Sequence, residues 1–296
     1  MFTRIDHVMI CVPDLPRGIE QYGRMGFNIF PGGVHPGKGT HNAIALNNDD
    51  YLELLAIRDQ AEHQAAAGTP GNADAGLADF IAAGGGIRYV VLQSDDLPAD
   101  VAAMRSRGVD VGDAIERGRR TPAGQEIRWK VAVLGPKNPL PIFFIQQLTP
   151  MAERRKLAPV AGNHPNGVYK IERAYIVTRD AGADAATYAN VLGMPRPTLH
   201  KGTVVMSNMA IFEFGDSGLG VVTPYAAGPA ADALERRGPG PFQALYRTTS
   251  MDAAARWMQA HGMPPPARGV RSNGEHAMLV TPSDALGAYI GFVGPE

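Results

Sequence analysis

Ile5-Asp6-His7-Val8-Met9-Ile10-Cys11-Val12, read together with Tyr51-Leu52-Glu53-Leu54-Leu55-Ala56-Ile57, decides the fold. Both runs are rich in β-branched and apolar residues, and Pro13-Asp14 stops the first, so each reads as a strand. Between them, Leu15 to Gly26 carries Ile19, Tyr22 and Met25 at helical spacing, with Gly26 at the C-terminal cap position. Phe27 to Pro31 reads as a short strand and Gly32 to Thr40 as a turn. His41 to Leu46 is a further strand, joined to Tyr51 by the tight turn Asn47-Asn48-Asp49-Asp50. The pattern is βαβββ. Strand alternation puts Ile5, His7, Met9 and Cys11 on one face, leaving Val8, Ile10 and Val12 to bury against the helix. In the last strand Tyr51, Glu53 and Leu55 face away from Leu52 and Leu54. A histidine and a glutamate therefore leave the helix-free face of one curved sheet. An acid set between leucines is costly to bury unless it is paired or binds a cation.

The same order of elements returns three times. Ile87 to Gln93 is a strand followed by Asp95-Asp96-Leu97, a helix from Pro98 to Gly108, an Arg-rich polar loop, and strands near Ile127–Leu134 and Leu140–Gln146. Tyr169 to Thr178, the helix Ala183–Leu192, and strands Val204–Phe214 and Leu219–Thr223 form a third unit. Pro239 to Thr249 opens a fourth, with Ser250 capping the helix Met251–His261 and closing strands His276–Thr281 and Ala288–Val293. The expected fold class is α+β: four βαβββ modules (1–58, 87–148, 167–225 and 239–296) paired into an N-terminal half, 1–150, and a C-terminal half, 167–296. Asp59 to Ala83 reads as a linker with one or two helical pieces, and the Pro- and Gly-bearing stretch Thr149–Gly167 as the domain boundary.

Composition narrows the function. The 296 residues are 45% hydrophobic and 19% charged, the balance of a soluble globular protein, and a formal net charge of -1 argues against nucleic-acid or anionic-membrane partners. The N-terminus lacks a signal-peptide core and no apolar run approaches a membrane span, so cytoplasmic residence is expected. The single cysteine, Cys11, lies inside a strand and reads as a packing residue.

Four βαβββ units, with His7 on the first strand and Glu53 on the fourth, resemble the vicinal oxygen chelate superfamily. Gly33-Val34-His35-Pro36-Gly37-Lys38-Gly39-Thr40-His41-Asn42 resembles, more narrowly, its glyoxalase-like members. The resemblance implies paired half-barrel domains and a divalent metal (Fe, Mn, Zn or Ni) that holds two vicinal oxygens of a small substrate. His7 and Glu53 match the family's ligand positions. The equivalents in the second module fall near Tyr89 and Phe144, with Gln146 next on the same face; those of the later modules fall near Arg173, Gly220, Ala244 and Tyr289, which are not ligands. A third ligand is needed; His41 is the first choice and Gln146 the second. His7, His41 and Glu53 would then be the metal ligands, with Glu53 or His41 moving the proton. His35, Asn42, Arg128, Trp129 and Gln146 would bind substrate, the guanidinium pairing with a carboxylate and the indole stacking.

Blander roles compete with these. His7 can be a hydrogen-bonded strand histidine, and Glu53 an acid paired with Arg128 or Lys130. Arg117-Gly118-Arg119-Arg120 reads as a solvated loop, Met206 and Met209 as core, and His200 and His276 as structural groups beside a second cleft. Two functions follow from the sequence. One is a metal-dependent lyase, isomerase or ring-cleaving dioxygenase acting on a small oxygenated compound, with or without a carboxylate. The other is a metal-free protein that sequesters a small molecule. Monomer and homodimer are both allowed.

Overall fold

The computed structural model describes residues 1–66, 76–121, 124–156 and 162–296. Module one is β1 (Phe2–Cys11), α1 (Leu15–Arg24), β2 (Phe30–His35), β3 (Thr40–Leu46) and β4 (Tyr51–Ile57). Two short helices, α2 (Gln60–Ala66) and α3 (Leu77–Ala82), lead to β5 (Gly86–Ser94), α4 (Leu97–Ser106), β6 (Ile115–Arg120), β7 (Glu126–Val133) and β8 (Ile142–Gln147). After α5 (Met151–Lys156) comes module three: β9 (Val168–Val177), α6 (Ala181–Leu192), β10 (His200–Gly202), β11 (Ser207–Phe214) and β12 (Ser217–Pro224). A further helix, α7 (Pro229–Arg237), precedes β13 (Gly240–Thr248), α8 (Met251–Ala260), β14 (Ala267–Val270), β15 (His276–Val280) and β16 (Tyr289–Val293).

The strands form two curled eight-stranded sheets, ordered β2-β3-β4-β1-β5-β8-β7-β6 and β10-β11-β12-β9-β13-β16-β15-β14. The pairing rule is the same in both. Each module's first strand runs parallel to its last, and the first strands of two modules meet antiparallel at the centre. One capping device repeats at every module helix. Asp14, Asp96, Asp180 and Ser250 each accept a hydrogen bond from the backbone N–H three residues on, satisfying an orphan donor of the first turn.

The helices of both halves share one apolar core. Tyr22 of α1 and Met25 at its C-terminal cap, Met104 of α4, Tyr188 of α6 and Met258 of α8 are buried in a single continuous cluster. Phe27 plugs its middle, edge-on to Tyr246 at 5.2 Å between ring centroids. A polar seam runs beside this core. Asn28 N–H donates to His164 Nδ1 (3.0 Å), and His164 Nε2 meets Asn47 Oδ1 (3.0 Å). Asn47 Nδ2 then donates to Asp50 Oδ1 (2.5 Å), and Asp50 Oδ2 accepts from Ile171 N–H across the seam (2.9 Å).

Several local expectations are corrected. Phe27 is core rather than strand, and β2 instead runs on to His35 because Gly33, Val34 and His35 pair with Asn42, His41 and Thr40. The turn that follows packs tightly on α2: a Cβ on Gly39 would lie 2.4 Å from the Asp59 carbonyl, at φ +64. The Arg-rich segment is the edge strand β6, paired to β7 from Ile115 to Arg120; charge on an edge strand opposes intermolecular pairing. The strand expected from Val204 starts only at Ser207, after Met206 at φ 53. Within Thr149–Gly167 the helix α5 forms; residues 157–161, like 67–75 of the expected linker, lie outside the described residues. Among the described residues no helix is long and apolar enough to cross a membrane.

Candidate active site in the N-terminal cleft

The N-terminal sheet curls around a cleft of about 660 Å³. On β4 the alternation holds: Tyr51, Glu53 and Leu55 line the cleft, while Leu52 and Leu54 join the core. On β1 it is interrupted. Ile5 opposes Leu92 of β5 and His7 opposes the adjacent Val91, so Asp6 is an extra residue in the ladder. Such a bulge re-aims side chains. It sends Ile5 into the helix-side core, not onto His7's face, and tucks Asp6 behind His7 with no exposure.

The result is a buried polar row. Asp6 Oδ1 lies 2.7 Å from His7 Nδ1, His7 Nε2 lies 3.3 Å from Glu53 Oε2, and Asn42 Nδ2 donates to Glu53 Oε1 at 2.6 Å. Gln147 Nε2 donates to Asp6 Oδ1 (3.1 Å), and the Tyr51 ring stacks on His7 at 4.3 Å. Burial opposes charge on all three ionisable groups, but their mutual hydrogen bonds prevail. Glu53 is drawn down to about 2, Asp6 also falls below the usual carboxylate range, and His7 rises above the usual histidine value. Each carboxyl is thus held more acidic, and the imidazole more basic, by its neighbours in the row.

His35 lines the same cleft, its Nδ1 2.9 Å from Thr40 Oγ1, and burial lowers its pKa despite the nearby charge of Glu53. Asn42 and Trp129 line the cleft as well. Three predicted residues do not. Ile44 is the partner of Glu53 in the β3–β4 ladder, so Asn42 and Thr40 share Glu53's face while His41, opposite Ala56, points to the helix side. His41 is thus not a ligand or proton carrier in this cleft. Gln146 also faces away: its amide accepts from Leu97 N–H and donates to the Asp95 carbonyl at the start of α4. Arg128 is an exposed member of β7, paired with Glu116. In module two the residue in Glu53's position is Phe143, not Phe144, which is core.

Four polar groups were missed. Gln147 follows from the alternation once Phe143 faces inward, and Arg119 follows from reading its segment as a strand. Asp6 depends on the bulge, which no local pattern announces. Arg154 arrives from α5, with its guanidinium 5.1 Å above the Tyr51 ring. It is only 7% exposed, and its Nη1 has no hydrogen-bond partner.

Among the described residues no group of three or more His, Cys, Asp or Glu side chains converges as a metal cage. His7 and Glu53 nonetheless face each other, and Asp6 behind His7 is the outer-shell carboxylate that orients metal-ligating imidazoles. Buried Asn42 Oδ1 and Gln147 Oε1 lack hydrogen-bond partners, but Asn42 Oδ1 lies against Gly32 and the Gln147 amide is bonded to Asp6. The set fits an oxygen-seeking divalent ion that fills its remaining positions with water or substrate oxygens. It does not supply the two histidines and one carboxylate expected of a ring-cleaving iron site.

A model of the glyoxalase-like domain matches residues 5–192, which hold the whole cleft and the start of module three. The chain belongs to the glyoxalase-like domain family. Among solved structures, a hypothetical protein from Staphylococcus aureus is similar at 16% identity and a TM-score of 0.69, with 99% of each chain covered. A triple mutant of 4-hydroxymandelate synthase from Streptomyces coelicolor is similar at 12% identity and 0.61, covering 100% of this chain and 94% of that one. The Mn(II)-bound glyoxalase from Novosphingobium aromaticivorans is similar at 13% and 0.56, covering 99% and 82%. At these identities the likeness is one of fold. No curated protein sequence matches the chain.

Proposed function

We propose that this glyoxalase-like protein is a metal-dependent lyase or isomerase that moves a proton on a small, oxygen-rich carboxylate bound in the N-terminal cleft. The observation that carries the reading is the His7–Glu53 pair, 3.3 Å apart, held from behind by Asp6 and Asn42 and open to a cleft of about 660 Å³. His7 Nε2 and Glu53 would hold the ion, with water or substrate oxygens in its remaining positions. A divalent metal bound there would polarise the substrate's oxygens and stabilise an enolate or alkoxide.

The chain's own groups divide the remaining work. Glu53, held ionised, is an anchor and a weak base. His35 is better suited to carrying the proton, because burial keeps it neutral near pH 7. Arg119 and Arg154 bring positive charge to the wall around Tyr51, where a substrate carboxylate would sit, and Trp129 offers a flat apolar surface. The orientation of His41 weighs against iron-dependent ring cleavage. The missing third acidic or histidine donor favours one alternative, a metal-free binding protein that uses the same cleft.

Metal analysis separates the two readings. Wild type, His7→Ala and Glu53→Gln would be analysed as purified and after reconstitution with Mn²⁺, Fe²⁺, Ni²⁺ or Zn²⁺. One equivalent of metal in the wild type, lost in both variants, is expected. A wild type that takes up no metal under any of these conditions would leave the binding-protein reading.

A further inference from the structure

The C-terminal sheet curls around a second cavity of about 290 Å³, and its chemistry differs from that of the first. Asp14 caps the helix after His7; at the same offset before the caps Asp180 and Ser250 stand Arg173 and Gln243. Glu53 pairs with Met9 in module one, and the corresponding pair in module three is Gly220 with Tyr175. A Cβ on Gly220 would lie 2.5 Å from the Tyr175 ring, so the aromatic side chain fills the space where an acid would need to stand. An arginine replaces the histidine and nothing replaces the glutamate. A cation site has become a cationic one.

Two guanidinium groups and one amide define it. Arg271 is anchored through Nη1 to Glu172 Oε1 (2.7 Å) and Glu275 Oε2 (2.5 Å), neither of which lines the cavity, and Arg247 bridges the same two acids. Arg173 Nη1 lies 2.8 Å from Glu213 Oε1 but at an angle that makes no hydrogen bond, and the Glu213 side chain is 57% exposed. Gln243 is 2% exposed, and its Oε1 has no partner. A buried acceptor without a donor is costly, so a ligand N–H or O–H there would be favourable. The remaining wall includes Val205, Met209, Ile211 and Leu245.

We infer that this cavity is a second, metal-independent binding site for a small carboxylate that also carries a hydroxyl or amine donor and a short apolar tail. The carboxylate pairs with Arg173 and Arg271, displacing Glu213 toward solvent. The donor reaches Gln243 Oε1, and the tail lies along Met209 and Leu245. The cavity volume restricts the ligand to a small molecule.

The test uses 2-hydroxy-4-methylpentanoate as probe and methionine-methyl NMR of the full chain, with Met209 reporting this cavity and Met9 the N-terminal cleft. A saturable Met209 shift is expected, weaker with 4-methylpentanoate and absent with the uncharged 2-hydroxy-4-methylpentanamide. Arg173→Gln should weaken binding by about tenfold or more. Glu213→Gln, on a largely exposed side chain, should fold normally and tighten binding by removing the competing carboxylate. An unmoved Met209, equal response to the amide, or unchanged affinity in Glu213→Gln would overturn the inference. Loss of the N-terminal site by Glu53→Gln should leave the Met209 response unchanged, so the two clefts are judged separately.

Discussion

His7→Ala is expected to destabilise the protein by about 3–5 kcal/mol, whereas Glu53→Gln, one contact away, should cost less than about 1 kcal/mol or even stabilise. The reason is charge count in a dry place. Asp6, His7 and Glu53 are all buried, and the imidazolium offsets one of the two carboxylates beside it. Removing His7 leaves two buried acids, and the remaining groups that answer them are Asn42, Gln147, Arg4 at 3.7 Å from Asp6 and the more distant Arg154, so Glu53 is left without a close cation. Replacing Glu53 by Gln leaves a neutral Asp6–His7 pair; the one amide oxygen accepts from His7, and Asn42, whose Oδ1 has no partner, can turn its amide to accept from the new NH2. Urea unfolding at pH 7 in the presence of a chelator would read both values. Equal costs for the two variants would mean that His7 is not charged in the folded protein. A cheap or stabilising Glu53→Gln would also indicate that the acid is retained for what it does in the cleft and not for the fold.

Asp50→Asn is expected to change the pH dependence of stability by on the order of 2 kcal/mol between pH 4.5 and 6.5. Burial raises the Asp50 carboxyl to about 7, despite hydrogen bonds from Asn47 and the Ile171 N–H. The native chain therefore holds a proton that the unfolded chain has released, and this contribution is lost as pH rises from about 4 to 7. His164 works in the opposite sense. Burial lowers it to about 4, so its contribution is complete above its ordinary value of 6.5 and is lost as pH falls toward 4. Each group adds a slope of up to about 1.4 kcal/mol per pH unit, with opposite signs. Between pH 4.5 and 6.5 these two slopes cancel, leaving the wild type only the shallower rise with pH that the lowered His35 and His41 contribute. Asp50→Asn removes one slope and exposes the other, so the variant should gain stability with rising pH over that interval by on the order of 2 kcal/mol. Denaturation midpoints at four or five pH values would show it; parallel profiles for the two proteins would refute it.

Much of this architecture was legible because its signals are periodic. The Ser250 helix cap, four module-opening strands and the alternation of Tyr51, Glu53 and Leu55 follow from spacing alone, and they place His7 and Glu53 together. The errors arise where register, not period, decides. His41 was assigned to the cleft from its nearness to Glu53 in the hairpin, but the pairing of Ile44 with Glu53 turns it outward. A shift of one residue likewise exchanges Gln146 for Gln147 and Phe144 for Phe143. Asp6 joins the site only through a bulge, and Arg154 only through a helix inside what read as a connector. Neither is encoded in the residues around it.

The core shared by the module helices has a consequence for the protein as a whole. Tyr22 donates to the Ala285 carbonyl at 3.0 Å, and Phe27 packs on Tyr246 and Phe292, so each duplicated half is the other's interior wall. Neither half can melt without exposing the other. The two should therefore unfold as a single cooperative unit, with calorimetric and van't Hoff enthalpies in agreement. Duplication here did not add a detachable second domain. It closed a hydrophobic surface that one copy alone would have left open to water.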